Sequence, residues 1–223
     1  SDAEVVGMSL RIGMAVSQDG LHWSRLEGEH ANNAVLDVGK EGDFDELLVG
    51  WPQVVNFNDK EFRMYYQSSG GASSDDRFTI GWAKSQDGFK WDKMGKVNFE
   101  RAPGSKFDEK GISRRHVIQL ESNEDAFTMV YEGIDANGRH SIGIATSTNG
   151  VDWKSLSAEP VFAPSDDADA WDAKAVGSPH VVELPGGELR LFYVGTAMDG
   201  TCAIGSATGN VADLTSWERC SSP

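Results

Sequence analysis

The sequence predicts an all-β fold, a β-propeller of four-stranded antiparallel blades, and three observations carry that expectation. One hairpin pattern recurs four times along the 223 residues, a second strand pattern rich in aromatics precedes it, and no segment has the periodicity of an amphipathic helix.

The hairpin is the clearest element. Ile12-Gly13-Met14-Ala15-Val16-Ser17-Gln18-Asp19-Gly20-Leu21-His22-Trp23 aligns with Ile80 to Trp91 and with Ile142 to Trp153, and a degenerate copy runs from Ile204 to Trp217. The leading isoleucines are 68, 62 and 62 residues apart. Each copy reads as an Ile-Gly-x-Ala strand, a tight Asp-Gly or Asn-Gly turn and a short strand holding Trp. Asp-Gly and Asn-Gly suit the positive φ angles of short hairpin turns, and the preceding Ser can bond the turn backbone, so these Asp and Asn residues are assigned to structure. The tryptophans are expected to pack between neighbouring sheets, with each N–H finding an acceptor.

The second pattern begins with Phe44-Asp45, Phe107-Asp108 and Trp171-Asp172, each ten residues, counted from the aromatic, before an apolar strand start at Val54, Val117 or Val181. A polar or glycine-rich turn then leads into an aromatic strand: Phe62 to Tyr66, Phe127 to Tyr131, and Leu189 to Tyr193. Each unit therefore holds four short strands, A to D, and a four-strand unit of this period fits a propeller blade better than a solenoid coil. The chain divides into a partial blade at 1–43 and blades at 44–106, 107–170 and 171–223, about three and a half blades in a single domain. Before the first hairpin only Val5-Val6-Gly7 remains, matching the end of a strand B. The missing part is expected upstream in a longer parent, or from another protein chain that completes the ring.

Composition narrows the partners. With 35 acidic and 20 basic side chains the formal net charge is −15, so the molecule repels polyanions, and nucleic acid and anionic lipid are not expected partners. No apolar run reaches the ~18 residues of a membrane span. The start Ser1-Asp2-Ala3-Glu4 has neither a basic nor an apolar leader region, which fits a soluble, processed chain, organellar or secreted, without choosing a compartment. Cys202 and Cys220 make no disulfide framework and no zinc spacing, and are read as unpaired, a single bridge being the alternative.

The repeated unit, aromatic-Asp, then Gly or Ser, Pro-x-Val-Val, the Tyr strand, and Ile-Gly-x-Ala-x-Ser-x-Asp-Gly-x-x-Trp, resembles the arabinanase, levansucrase and invertase superfamily of five-bladed propeller glycosidases, in its uncharacterised glycosidase-like branch. The resemblance covers nearly the whole chain. It implies a carbohydrate ligand in a funnel at the ring axis, with carboxylates supplied from inner strands of different blades and no cofactor. Glycoside hydrolysis normally uses two carboxyl groups, about 5 to 5.5 Å apart for retention and about 6.5 to 9.5 Å for inversion. In arabinanase-like enzymes the acids stand one or two residues before the proline that opens strand A. The matching positions here are Gly50 and Trp51, Ser113 and Arg114, and Gly177 and Ser178, none of them acidic.

The candidates are then these. Glu132, which follows strand B where the other blades have Gln67 and Val194, is the best single acid. Asp45, Asp108 and Asp172 are secondary catalytic candidates whose regular recurrence argues for a structural task. Ser113-Arg114-Arg115-His116 breaks the symmetry of the strand A openings, and its arginines can grip a carboxylate, phosphate or uronic acid, or pair with Asp108, Glu109 or a neighbouring blade. His180 matches His116 in the last blade, each imidazole being either a site group or a packed core residue. Trp51 and Trp171 are candidates to stack on a sugar ring, with blade packing as the alternative, and the loop from Gln67 to Phe78 is a candidate contact loop. No metal spacing is found. The expected function is binding or hydrolysis of a carbohydrate at the axis, against a catalytically inactive propeller that acts as an interaction or assembly module.

Overall fold

The computed structural model describes residues 10–58, 60–70, 78–121, 123 and 125–220. They form the all-β architecture of a partial β-propeller: three four-stranded antiparallel sheets, one of them extended by a fifth strand, after a two-stranded remnant. Among the described residues the helical content is one 3-10 turn, Ala31–Asn33, and no helix is long and apolar enough to cross a membrane. Val5-Val6-Gly7 and residues 71–77 of the candidate contact loop lie outside the described residues. The chain divides into two compact units, Ser1–Lys96 and Val97–Pro223.

In the first unit, β1 (Ala15–Val16) pairs with β2 (Ser24–Arg25), followed by a sheet of β3 (Leu48–Asn58), β4 (Glu61–Ser69), β5 (Thr79–Ser85) and β6 (Asp92–Lys96) in sequence order. Its core gathers Ile12, Leu36, Val49, Met64, Tyr66 and Trp91.

The second unit holds two sheets. β7 (Asn98–Glu100), β8 (Gly111–Gln119), β9 (Phe127–Ile134), β10 (His140–Ser147) and β11 (Asp152–Ser155) lie in the order β7-β11-β10-β9-β8, and β12 (Ala175–Leu184), β13 (Glu188–Thr196), β14 (Cys202–Asn210) and β15 (Asp213–Arg219) lie in sequence order. Strand β7 joins parallel to β11, with Asn98 facing Asp152. The two sheets share a core in which Val130, Ile142 and Ile144 meet Val181, Leu191 and Tyr193. Burial alternates along β13, with Leu189, Leu191 and Tyr193 on the covered face.

The turns form as their residues dictate. Gly20, Gly88 and Gly150 have φ of 74°, 77° and 70°, the left-handed region that a side chain would penalise. Asp19, Asp87 and Asn149 each accept two backbone N–H groups through one side-chain oxygen, and Ser17, Ser85 and Ser147 accept the glycine N–H. The tryptophan N–H of Trp23, Trp91 and Trp153 donates to that glycine's carbonyl at 3.1 Å. Trp91 and Trp153 are buried as expected, but Trp23 is 64% exposed. The remnant sheet around Trp23 has two strands among the described residues, too few to cover a ring of that size.

In the second, third and fourth copies the glycine of Ile-Gly-x-Ala has a packing cause. A Cβ on Gly143 would lie 2.5 Å from Tyr131 Cζ and 2.7 Å from Phe107 Cζ, because both rings lie flat against that stretch of strand. Cys202 and Cys220 are both free thiols.

Candidate functional site

Strand B and the loop before strand A build the same lock three times. Tyr66, Tyr131 and Tyr193 donate their hydroxyls to Asp45, Asp108 and Asp172 at 3.2, 3.1 and 2.9 Å, and all three carboxylates are buried. A further donor completes each one: Lys93 for Asp45 at 2.6 Å, Ser105 for Asp108 at 2.6 Å and Arg219 for Asp172 at 2.8 Å. Burial first, and then the adjacent carboxylate, raises the phenol of Tyr66, so it stays protonated and remains a donor. Phe107 stacks on Tyr131 at 6.0 Å and Trp171 on Tyr193 at 5.5 Å, which places Trp171 against its own sheet.

Glu132, in the second unit, sits differently. It lies one residue past Tyr131 on β9, directly across from Ile142 on β10, and its side chain is buried. Its Oε1 accepts from Ser113 Oγ at 3.0 Å and contacts His140 Nδ1 at 2.6 Å, while Oε2 accepts the backbone N–H of Ser178 at 2.7 Å. Ser113 is on β8, His140 opens β10 and Ser178 is on β12, so one carboxylate ties two sheets together. Gly177 is required beside it, since a Cβ there would collide with the Glu132 carboxylate. Burial pushes the Glu132 carboxyl upward, but hydrogen bonding and charge from His140, the Ser178 N–H and the Arg114 cation outweigh it and hold the group below its ordinary value.

The neighbouring groups are cationic or imidazole. Arg114 Nη1 donates to Ser178 Oγ at 2.6 Å. Ser178 has φ of 51°, at a bulge between Gly177 and His180, a left-handed conformation that costs on the order of 1–3 kcal/mol for a non-glycine residue. Two positions beyond these residues, His116 and His180 pack against each other across β8 and β12, with ring centroids 4.0 Å apart and planes tilted by 46°. Val181 N–H donates to His116 Nδ1 at 3.3 Å. Burial, then the His180 and Arg115 charges, pull His116 down to about 4, so it is neutral at pH 7 with its proton on Nε2. Burial lowers Arg115 to about 9, which still leaves a cation at neutral pH.

The structure thus brings Glu132, Arg114, His116 and His180 together in the second unit, where Asp108 and Asp172 are held in their own locks. Asp45 and Trp51 belong to the first unit. Trp51 is exposed, has φ of 46° at the equivalent bulge of β3, and lines a shallow cavity of about 310 Å³ with Arg11, Gly13 and Pro52. Sequence reasoning missed His140. The same test of broken symmetry, applied two residues before each strand C isoleucine, finds Leu10, Phe78, His140 and Cys202, and the imidazole stands out. Among the described residues no cluster of three or more His, Cys, Asp or Glu has a metal-holding arrangement.

No protein-family model matches the chain. Uncharacterized proteins of two Mycobacterium tuberculosis strains, ATCC 25618 / H37Rv and CDC 1551 / Oshkosh, are 24% identical to it over 184 residues, 81% of this chain and 56% of theirs. The chain spans little more than half the length of these relatives. Among solved structures, glycoside hydrolases of the GH130 family of mannoside phosphorylases, described as targeting β-1,2 mannosidic linkages in Candida mannan, superpose with a TM-score of 0.69 at 20% identity, over 93% of this chain and 60% of theirs. A glycosyl hydrolase from Bacteroides ovatus superposes with a TM-score of 0.68 at 19% identity, over 94% and 60%. The fold is that of the propeller glycosidases. At these identities the likeness of the chain to its neighbours concerns the fold alone, and the chemistry rests on its own side chains.

Proposed function

We propose that the protein binds a carbohydrate at the opening of β8 and β12, with Arg114, His140 and His180 as contact groups and Glu132 as the carboxylate that positions them. The observation that carries this reading is the Glu132 network. At the one place where the repeat departs from Gln67 and Val194, a buried carboxylate anchors an imidazole and the Ser178 backbone beside a cation. Sugars are recognised by such fixed arrays of charged and polar donors and acceptors.

Binding is favoured over hydrolysis. A general acid needs a carboxyl held protonated near the working pH, and Glu132 is pushed the other way. Asp45, Asp108 and Asp172 are proposed to be blade locks, each carboxylate already taking a tyrosine hydroxyl. The same locks favour the second reading, a catalytically inactive propeller used as an interaction module. Calorimetric titration with β-1,2-mannobiose and with arabino-, fructo- and galacto-configured oligosaccharides separates the two. A sugar that binds, and that weakens at least tenfold on Arg114→Ala or His140→Ala, supports the carbohydrate site. An absence of binding across the panel gives the decision to the interaction module.

A further inference from the structure

The repeat is also broken in the first unit, by an insertion. Leu36 and Phe162 are equivalent, each bridging the leading isoleucine of its own hairpin, Ile12 or Ile142. From the hairpin tryptophan to that residue the chain runs thirteen positions in the first copy, Trp23 to Leu36, and nine in the third, Trp153 to Phe162. The longer segment is folded tightly on itself. Gly28 N–H donates to the Asn33 carbonyl at 3.1 Å, His30 N–H to the Ala34 carbonyl at 3.2 Å and Arg25 Nη2 to the Asn32 carbonyl at 2.7 Å. Gly28 permits the crossing, since a Cβ there would collide with the Ala34 carbonyl.

This loop and the turn between β5 and β6 enclose a cavity of about 250 Å³. Its apolar lining includes Val35 and Trp91 of the buried core and Met14 packed against them. Phe89, 54% exposed, adds an aromatic wall. Three exposed carboxylates, Glu27, Glu29 and Asp92, line the same cavity with the Lys90 ammonium and the His30 imidazole. Lys90 Nζ lies 2.6 Å from Glu29 Oε1 and ties the turn to the loop, but the two side chains are 75% and 72% exposed, so the pair is held weakly.

We propose that this cavity is a second binding site, for a small organic cation: an alkylammonium or alkylguanidinium whose short apolar body lies on Met14, Val35 and Trp91 and whose charge meets Glu27, Glu29 and Asp92. Three carboxylates stand against one ammonium and one imidazole, in a chain of net charge −15, so an anion is repelled and a neutral ligand gains nothing from the charge. Phe89 selects the same sign, because the face of an aromatic ring attracts a cation. Lys90 is the internal precedent: it already places an ammonium on Glu29, and a ligand's charge can displace a pair so exposed. The volume suits a small molecule, being close to the lower end of the roughly 300–1,000 Å³ of ligand pockets. The site shares no residue with the Glu132 network and does not depend on the reading of that network.

The probe is agmatine, titrated calorimetrically into the full chain at pH 7 and constant ionic strength, with n-butanol as a body without charge and ammonium as a charge without body. Saturable binding of agmatine at one site per chain is expected, and of neither control. Glu27→Gln and Asp92→Asn should each weaken it about threefold, as for loss of one exposed charge pair, whereas Lys90→Met, which releases Glu29 from its internal partner, should strengthen it by about the same factor. All three positions are exposed, so the Tm of each variant should stay within about 2 °C of the parent. No saturable agmatine binding overturns the proposal, as does equal binding of n-butanol or a Lys90→Met variant that binds no tighter. Glu218→Gln, at an exposed carboxylate of the second unit, should leave the affinity unchanged. A weakening equal to that of Glu27→Gln would reduce the effect to general attraction by an acidic surface and also overturns it.

Discussion

His140 Nδ1 lies 2.6 Å from Glu132 Oε1, on the diagonal of a β9–β10 pairing in which Glu132 faces Ile142. This contact contributes most to holding the Glu132 carboxyl below its ordinary 4.5 against the upward push of burial. A depressed carboxyl stabilises the fold above its unfolded value and loses that contribution as pH falls through the lowered value. Glu132→Gln is therefore expected to cost about 2 kcal/mol at pH 7, and the gap between wild type and variant should close as pH drops well below 4.5. Urea unfolding curves across pH 3 to 8 measure it.

His116 gives the opposite chemistry with the same direction of pH dependence. Its imidazole is held down to about 4, against about 6.5 when unfolded, so the unfolded chain binds the extra proton first. Stability should fall as pH drops from 6.5 towards 4, by up to about 3 kcal/mol. His116→Gln, which installs the residue found at the equivalent Gln53, should flatten that slope in the same unfolding measurement.

The tyrosine locks predict a ranking. Tyr131→Phe removes a donor from Asp108 Oδ2, whereas Tyr193→Phe leaves Asp172 Oδ2 with Arg219 still bound. Losing a partner of a buried charged group costs about 1–3 kcal/mol. Tyr131→Phe should lie in the upper part of that range and Tyr193→Phe in the lower, as read from denaturant midpoints.

Glycine substitution separates the packed repeats from the first one. Gly143→Ala should cost about 1–3 kcal/mol through overpacking against Tyr131 and Phe107. Gly13→Ala, with nothing within 4 Å of its Cβ, should shift stability by no more than about 0.5 kcal/mol. Thermal unfolding of the two variants side by side decides it.

The fold was legible because its determinants are local. A hairpin turn, its Asp or Asn acceptor and its tryptophan cap all lie within about ten residues, so they repeat as a readable string. Strand β7 was not, since three residues at Asn98–Glu100 pair with Asp152–Lys154, more than fifty positions away, and carry no periodic signal. The locks were half legible: recurrence pointed Asp45, Asp108 and Asp172 to structure, but their tyrosine partners stand 21 or 23 residues on. Glu132 and Arg114 stood out by breaking the repeat. His140 breaks the repeat too, but its meaning comes from a diagonal neighbour, Glu132 on β9, that no string of residues displays.

Each tryptophan hairpin closes a set of hydrogen bonds within itself, from Ser147 to Trp153 in one copy. Short loops of this kind close in about 1–10 μs, far ahead of contacts that span sixty residues. During synthesis such segments can zip as soon as they emerge, leaving the slower work to the joining of preformed pairs. A lesion in one turn, such as Asn149→Ala, would then delay its own segment and leave the others to mature on schedule.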